Sequence, residues 1–145
     1  MKKVFVVAHA PTSVQRLEDL AKLAFGFGEP VSGLVVTKPS GAAAQIGVPE
    51  VSKLAYKLDK AFFVFPDIDD ALELLKPQRV YTVSREYGEE VERVEAEGVT
   101  LVVVGASEPG LSKLEASKGK AIYPKGLEGE IGPIGAAALI LAGLK

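Results

Sequence analysis

Short runs of apolar, often β-branched residues alternate along the chain with segments whose apolar positions recur at helical spacing. Val4 to Ala8 is a continuous apolar run, and Val31 to Thr37, Ala61 to Phe65, Arg79 to Ser84, Thr100 to Val104 and Ala121 to Tyr123 are further short runs of this kind. All are predicted strands; the continuous apolar run Val4 to Ala8 predicts one covered on both faces, and Thr100 to Val104 a strongly buried one. Between them, Val14, Leu17, Leu20, Ala21 and Ala24 mark one face of a helix that ends near Gly26 and Gly28. Thr12-Ser13-Val14-Gln15 reads as its capping box. The stretch from Gly41 to Lys60 is ambiguous: Ser40 can cap a short Ala-rich turn, and Pro49 can open a helix through Val51, Leu54, Ala55 and Leu58. Asp67 caps a helix closed by Pro77, Tyr87 to Glu97 reads as an acidic helix closed by Gly98, and Pro133 opens a final apolar helix.

This β-α alternation predicts one α/β domain over residues 1–145, a parallel sheet with helices on both faces. Ligands of such sheets bind beyond the C-terminal ends of the strands. The loops after Val7, Val83, Val104 and Ile122 are therefore the places to look for a site.

Composition narrows the chemistry. The 145 residues include no Cys and one His, which excludes thiolate chemistry and a two-histidine centre within one chain. The absence of Asn and Cys, a single Met and nine Pro lean towards a protein from a hot environment. A net charge of −2 gives no global field for nucleic acid, so such a partner needs a local patch or two subunits. No apolar stretch reaches bilayer length and the opening residues lack a signal-peptide pattern, so a cytoplasmic location is expected.

Two stretches carry candidate chemistry. In Leu101-Val102-Val103-Val104-Gly105-Ala106-Ser107-Glu108-Pro109-Gly110-Leu111-Ser112 a buried strand runs into a small-residue turn that lets a ligand approach the backbone. In the second, Ile122-Tyr123-Pro124 leads into glycines at 126, 129, 132 and 135 and then an Ala-rich helix. Main-chain groups of such a loop can hold an anion or read a nucleobase edge, while a plain surface loop is the ordinary alternative. Neither stretch matches the dinucleotide fingerprint or a P-loop.

Taken in order, these pieces resemble the SPOUT superfamily of RNA methyltransferases, which use S-adenosylmethionine (SAM). Lys22-Leu23-Ala24-Phe25-Gly26 resembles the first motif of that family, Val103-Val104-Gly105 through Gly110-Leu111-Ser112 its second, and Ile122-Tyr123-Pro124 through Gly132 and Ala136-Ala137-Ala138 its third. The resemblance implies a C-terminal deep trefoil knot formed by about residues 105–145 and a homodimer paired through the first and last helices. It implies SAM at Ser84, Gly105, Ala106, Ser107, Ile122, Gly126, Leu127, Ile131 and Gly132, with the adenine read by backbone groups of Ile122, Leu127 and Ile131. Gly105→Val is then expected to fill the ribose position without unfolding the chain. Catalysis falls to Arg16, Lys22 and Glu108, with ribose 2′-O of tRNA or rRNA as the favoured target. No metal is implied.

The sequence departs from the family where the third motif carries Ser-Leu-Asn, since no Asn is present, and Ser107 stands where a glutamate is expected. Arg16, Lys22 and Glu108 can equally be solvated surface charges, and His9 either an acid–base group or a satisfied structural histidine. Lys113, Lys118, Lys120 and Lys125 crowd a segment with one acid, Glu115, and could meet RNA phosphate or simply face water. Two other readings compete. The chain could be a catalytically inactive nucleotide or RNA binder. It also resembles archaeal proteins that carry a RecB-like nuclease label, although no Glu-x-Lys, Asp-x-Lys or Gln-x-Lys array is present.

Overall fold

A computed structural model describes residues 1–144. The elements are β1 (Lys3–His9), α1 (Val14–Gly26), β2 (Val31–Thr37), α2 (Val48–Leu58), β3 (Ala61–Phe65), α3 (Ile68–Leu75), β4 (Arg79–Val83), β5 (Glu89–Val91), β6 (Val99–Gly105), α4 (Lys113–Ala116), β7 (Lys120–Pro124) and α5 (Pro133–Ala142). One seven-stranded sheet runs in the order β3-β2-β1-β6-β4-β7-β5, with every pair parallel. This is the α/β architecture expected from the alternating pattern.

The apolar runs become strands because both of their faces are covered. Val4 to Ala8 and Leu101 to Val104 lie fully or almost fully buried in β1 and β6 at the middle of the sheet. Leu17 and Leu20 of α1, Val51 and Ala55 of α2, and Ala137 and Leu141 of α5 pack on one face. Ile68 and Ala71 of α3 pack with Phe5, Val7, Leu101 and Val103 on the other. The short α4 sits over β4, where the buried Thr82 hydroxyl donates to the Ala116 carbonyl at 2.7 Å. Among the described residues no helix is long and apolar enough to cross a membrane.

Two local expectations change, and the ambiguous stretch proves to hold the helix that Pro49 announced. The N-cap of α1 is Ser13, not Thr12: its hydroxyl accepts from Arg16 N–H at 3.2 Å, while the Gln15 amide turns to Asp19. The Gly41–Lys60 stretch holds a π-turn, Ala43–Gly47, which runs into α2 with Pro49 in the first turn. Tyr87 to Glu97 is not a helix. It makes the edge strand β5 and then irregular chain, and the Tyr81 hydroxyl donates to the Glu95 carbonyl at 2.7 Å. Its acidic side chains face water along a sheet edge, where charge blocks further pairing.

The sheet order has one unusual step. β7 follows β5 in the chain yet lies between β4 and β5. The link from β4 to β5 therefore crosses β7 at Ile122, held by Ser84 N–H to the Ile122 carbonyl at 3.0 Å and Gly88 N–H to the Ser84 carbonyl at 3.0 Å.

Candidate functional site

The C-terminal ends of β4, β6 and β7 open onto a cavity of about 110 Å³. Val83 and Ser84, Val104 and Gly105, and Tyr123 bring the strand ends to it, and the turn Ser107–Leu111 forms one wall. Gly132, Pro133 and Ala136 bring in the start of α5, and Arg16 reaches it from α1. Its charged residues are Arg16 and Arg85 against Glu86, Glu108 and Glu130.

The glycine-rich loop is held by one phenol. Tyr123 Oη accepts from Ile131 N–H at 3.1 Å and lies 3.1 Å from Glu130 Oε2, to which it donates, with the Gly129 carbonyl at 3.3 Å. The same Glu130 oxygen accepts from Gly132 N–H at 3.1 Å. Burial raises the Tyr123 pKa, the Ile131 N–H pulls it down and the Glu130 carboxylate pushes it up again, with a net rise. The hydroxyl therefore keeps its proton and its donor role at neutral pH. Tyr123→Phe is expected to cost about 1–2 kcal/mol of stability through the partners it leaves unmade, read as a lower urea midpoint with unchanged slope.

His9 is a structural histidine. It is 2% exposed, with Nδ1 2.8 Å from Thr37 Oγ1 and Nε2 2.8 Å from Glu115 Oε2, so both ring nitrogens are used. Glu115 closes a capping box with Ser112 at the start of α4. Burial pushes the Glu115 pKa up, but the Ser112 N–H and His9 outweigh it and hold the carboxyl below its ordinary range.

Of the residues assigned from sequence, Arg16, Ser84, Gly105, Ser107, Glu108 and Gly132 meet at this cavity. Lys22 does not line it: six residues beyond Arg16 on α1, it points into solvent. Ala106 is 1% exposed in the core and its N–H donates to the His9 carbonyl. Ile122 is fully buried, and its carbonyl is taken by Ser84 N–H. Ile131 N–H is taken by Tyr123, and Gly126, Leu127 and Ile131 lie outside the lining. The expected main-chain reading of an adenine by Ile122 and Ile131 thus meets groups already bonded. Gly105 is also reassigned: a Cβ there would lie 2.7 Å from Gly110 Cα and 2.8 Å from Leu111 N, so its smallness serves the folded-back turn rather than a ligand.

Arg85, Glu86, Tyr123, Glu130 and Ala136 join the cavity without having been assigned to it from sequence. Arg85 and Glu86 were hidden by the helical reading of the residues that follow them. The glycine spacing marked the loop holding Glu130 but not which side chain folds back. The lysine cluster is largely neutralised: Lys118 pairs with Asp69 at 2.6 Å, Lys120 with Glu89 at 2.9 Å and Lys125 with Glu92 at 3.5 Å. Acids distant in sequence supply that balance. Among the described residues no group of three or more His, Asp or Glu side chains is placed to hold a metal ion.

The fold is that of the SpoU-type SPOUT methyltransferases. The structure of the SpoU methyltransferase AviRb from Streptomyces viridochromogenes in complex with AdoMet matches 98% of this chain and 56% of that one, with a TM-score of 0.71 and 20% identity. A structure described as giving insight into 2-OH methylation of C/U34 on tRNA matches 95% of this chain and 91% of that one, with a TM-score of 0.67 and 17% identity. By sequence, the chain belongs to the family described as RecB-family nuclease (DUF2122), whose model matches residues 41–143. A relative from Aeropyrum pernix is 43% identical over 96% of this chain and 90% of its own length, and carries the provisional name type II restriction enzyme ApeKORF2002P.

Proposed function

We propose that this chain is a SAM-dependent RNA methyltransferase acting through the cavity at the ends of β4, β6 and β7. The observation that carries this reading is the cavity's position at the strand ends of a fold whose solved examples include an AdoMet complex. Its chemistry fits the cofactor: Glu86, Glu108 and Glu130 suit a ligand that bears a sulfonium and an ammonium, and Gly110, Gly132 and Ala136 leave the walls low. Its volume of about 110 Å³ is below the roughly 300 Å³ at which small-molecule pockets begin. Entry of the whole nucleoside therefore requires the loop 126–132 to swing off Tyr123.

When bound, SAM supplies an electrophilic methyl group. In this reading Arg16 anchors an RNA phosphate or holds the ribose hydroxyl as it loses its proton, and Glu108 binds the cofactor's amine. Two copies paired through α1 and α5 would complete the RNA surface. Leu139, 47% exposed on the apolar α5, supports that arrangement. The insertion of β7 between β4 and β5 supports the expected knotted threading of the C-terminal segment.

Calorimetry with SAM and transfer of labelled methyl to bulk RNA test the proposal together. Arg16→Ala is expected to lower transfer by about 100-fold while leaving SAM affinity within a few-fold, the pattern of a group acting on the RNA side. Glu108→Ala is expected to weaken SAM binding about ten-fold or less, the loss of one charge-assisted hydrogen bond. SAM binding without transfer to any RNA would favour an inactive binder. Metal-dependent cleavage of DNA or RNA with no SAM binding would favour the nuclease that the family description names.

A further inference from the structure

The four tyrosines divide by what their rings do. Tyr81 and Tyr123 are buried, and their hydroxyls donate to fixed acceptors, the Glu95 carbonyl and the Glu130 carboxylate. Tyr56 and Tyr87 are 91% and 42% exposed and belong to neither apolar cluster of the described residues. Tyr56 stands on α2, which packs beside β3. Tyr87 follows Arg85 and Glu86, both of which line the cavity. Its phenol hydrogen-bonds to the Glu86 carboxylate. That bond first, then partial loss of solvation and the charge of Glu86, raises its pKa and keeps the ring neutral.

The backbone beneath this ring is held. Tyr87 N–H donates to Ser84 Oγ at 3.1 Å, Gly88 N–H to the Ser84 carbonyl at 3.0 Å, and Ser84 N–H to the Ile122 carbonyl at 3.0 Å. The turn is thereby pinned to β7. A flat, amphipathic ring with two side-chain torsions, presented on a fixed turn, makes contacts at small entropic cost.

We propose that the Tyr87 ring is a platform on which an unpaired RNA base stacks as its strand enters the cavity. The inference rests on the proposed methyltransferase reading and names the form of its substrate. That form is a single strand or loop, because the faces of bases within a duplex are covered by their neighbours. Every base has a π-face, so the platform needs no particular set of donors to hold one. The surrounding charges suit a strand. Arg85 and Arg16 stand at the cavity to take its phosphates. Two acids of the adjoining sheet edge are already answered, Glu89 by Lys120 at 2.9 Å and Glu92 by Lys125 at 3.5 Å.

The chain has no tryptophan, so Tyr87→Trp places a single fluorescent reporter at the ring's position. Its emission is expected to fall by about half on titration with a single-stranded RNA of about twenty nucleotides that lacks self-complementarity, and to stay nearly constant with the same strand annealed to its complement. Tyr56→Trp, the same reporter on α2, is expected to show no such quenching. Tyr87→Ala is expected to weaken single-strand binding about ten-fold and Tyr87→Phe less than about two-fold, since stacking needs the ring and not the hydroxyl. Equal responses of the two reporters overturn the inference, as does Tyr87→Ala binding equal to that of the unchanged chain. A Tyr87→Phe loss as large as that of Tyr87→Ala assigns the effect to the hydroxyl and also overturns it. Quenching of Tyr87→Trp by SAM alone gives the ring to the cofactor, with the same result. Should Tyr87→Ala fail to fold, the reporters decide. Failure of the proposed function reads differently: the unchanged chain then binds no SAM, whatever the reporters do.

Discussion

His9→Ala is expected to remove roughly 3 kcal/mol of stability and to lower the melting temperature by about 10 °C. The ring is 2% exposed, and its loss strands Thr37 Oγ1, itself fully buried, together with a Glu115 oxygen. It also unties α4 from the ends of β1 and β2, because Glu115 both accepts from His9 and closes the capping box of α4. A His9 acting as an acid or base would show the opposite pattern, with unchanged melting and lost turnover. The pH dependence has a definite sign. Glu115 titrates below its ordinary 4.5 in the folded chain, so its contribution is complete above that value and is lost as pH falls through the lowered folded pKa. His9→Ala removes one of the interactions that lower it, so this part of the acid unfolding limb should flatten in the variant. A variant whose urea midpoint matches the unchanged protein from neutral pH down to the acid limb would show that the ring holds nothing in place.

The elements that were legible in the sequence are those whose burial is local. The apolar runs of β1, β2 and β6 announce strands because a residue covered on both faces has no reason to alternate, and Asp67 marks the start of α3 because its carboxylate accepts from Ile68 N–H at 2.7 Å. Part of the cavity's lining was legible too, since Ser84, Ser107 and Glu108 lie just beyond the ends of β4 and β6. What was not legible depends on distant chain. Val91 and Val94 sit at helical spacing in the acidic segment, yet β7, which arrives about thirty residues later in the chain, offers Glu89, Glu90 and Val91 an edge to pair with. Tyr123 was readable as a strand residue, but nothing in its neighbourhood says that its hydroxyl gathers Ile131 and Glu130. Lys118, Lys120 and Lys125 read as a basic patch because Asp69, Glu89 and Glu92 are remote in sequence and adjacent in space.

The residue whose role was most completely concealed carries the largest expected effect. Gly88→Ala is expected to cost more than about 4 kcal/mol, enough to lose most folded protein at growth temperature. No unusual backbone angle demands glycine there, since Gly88 is absent from the positive-φ glycines. The demand is steric. The link from β4 to β5 crosses the backbone of β7, and a Cβ at residue 88 would lie 2.7 Å from Ile122 C and 2.8 Å from Ile122 N, besides meeting the Ser84 carbonyl oxygen. All three are main-chain atoms, and the two of Ile122 belong to a strand held between two neighbours, so none can rotate aside as a side-chain end would. Relief requires the link to lift off β7. That breaks the Ser84 N–H bond to the Ile122 carbonyl and carries Ser84, Arg85 and Glu86 away from the cavity they line. Gly129→Ala provides the comparison, because a Cβ there meets nothing within 4 Å and the residue is not among the positive-φ glycines. It should melt within about a degree of the unchanged chain, as an exposed substitution free of strain does. Equal melting of the two variants would mean that the crossing is loose. Ser84, Arg85 and Glu86 would then have no fixed place at the strand ends, and the case for a preformed site there would fail with them.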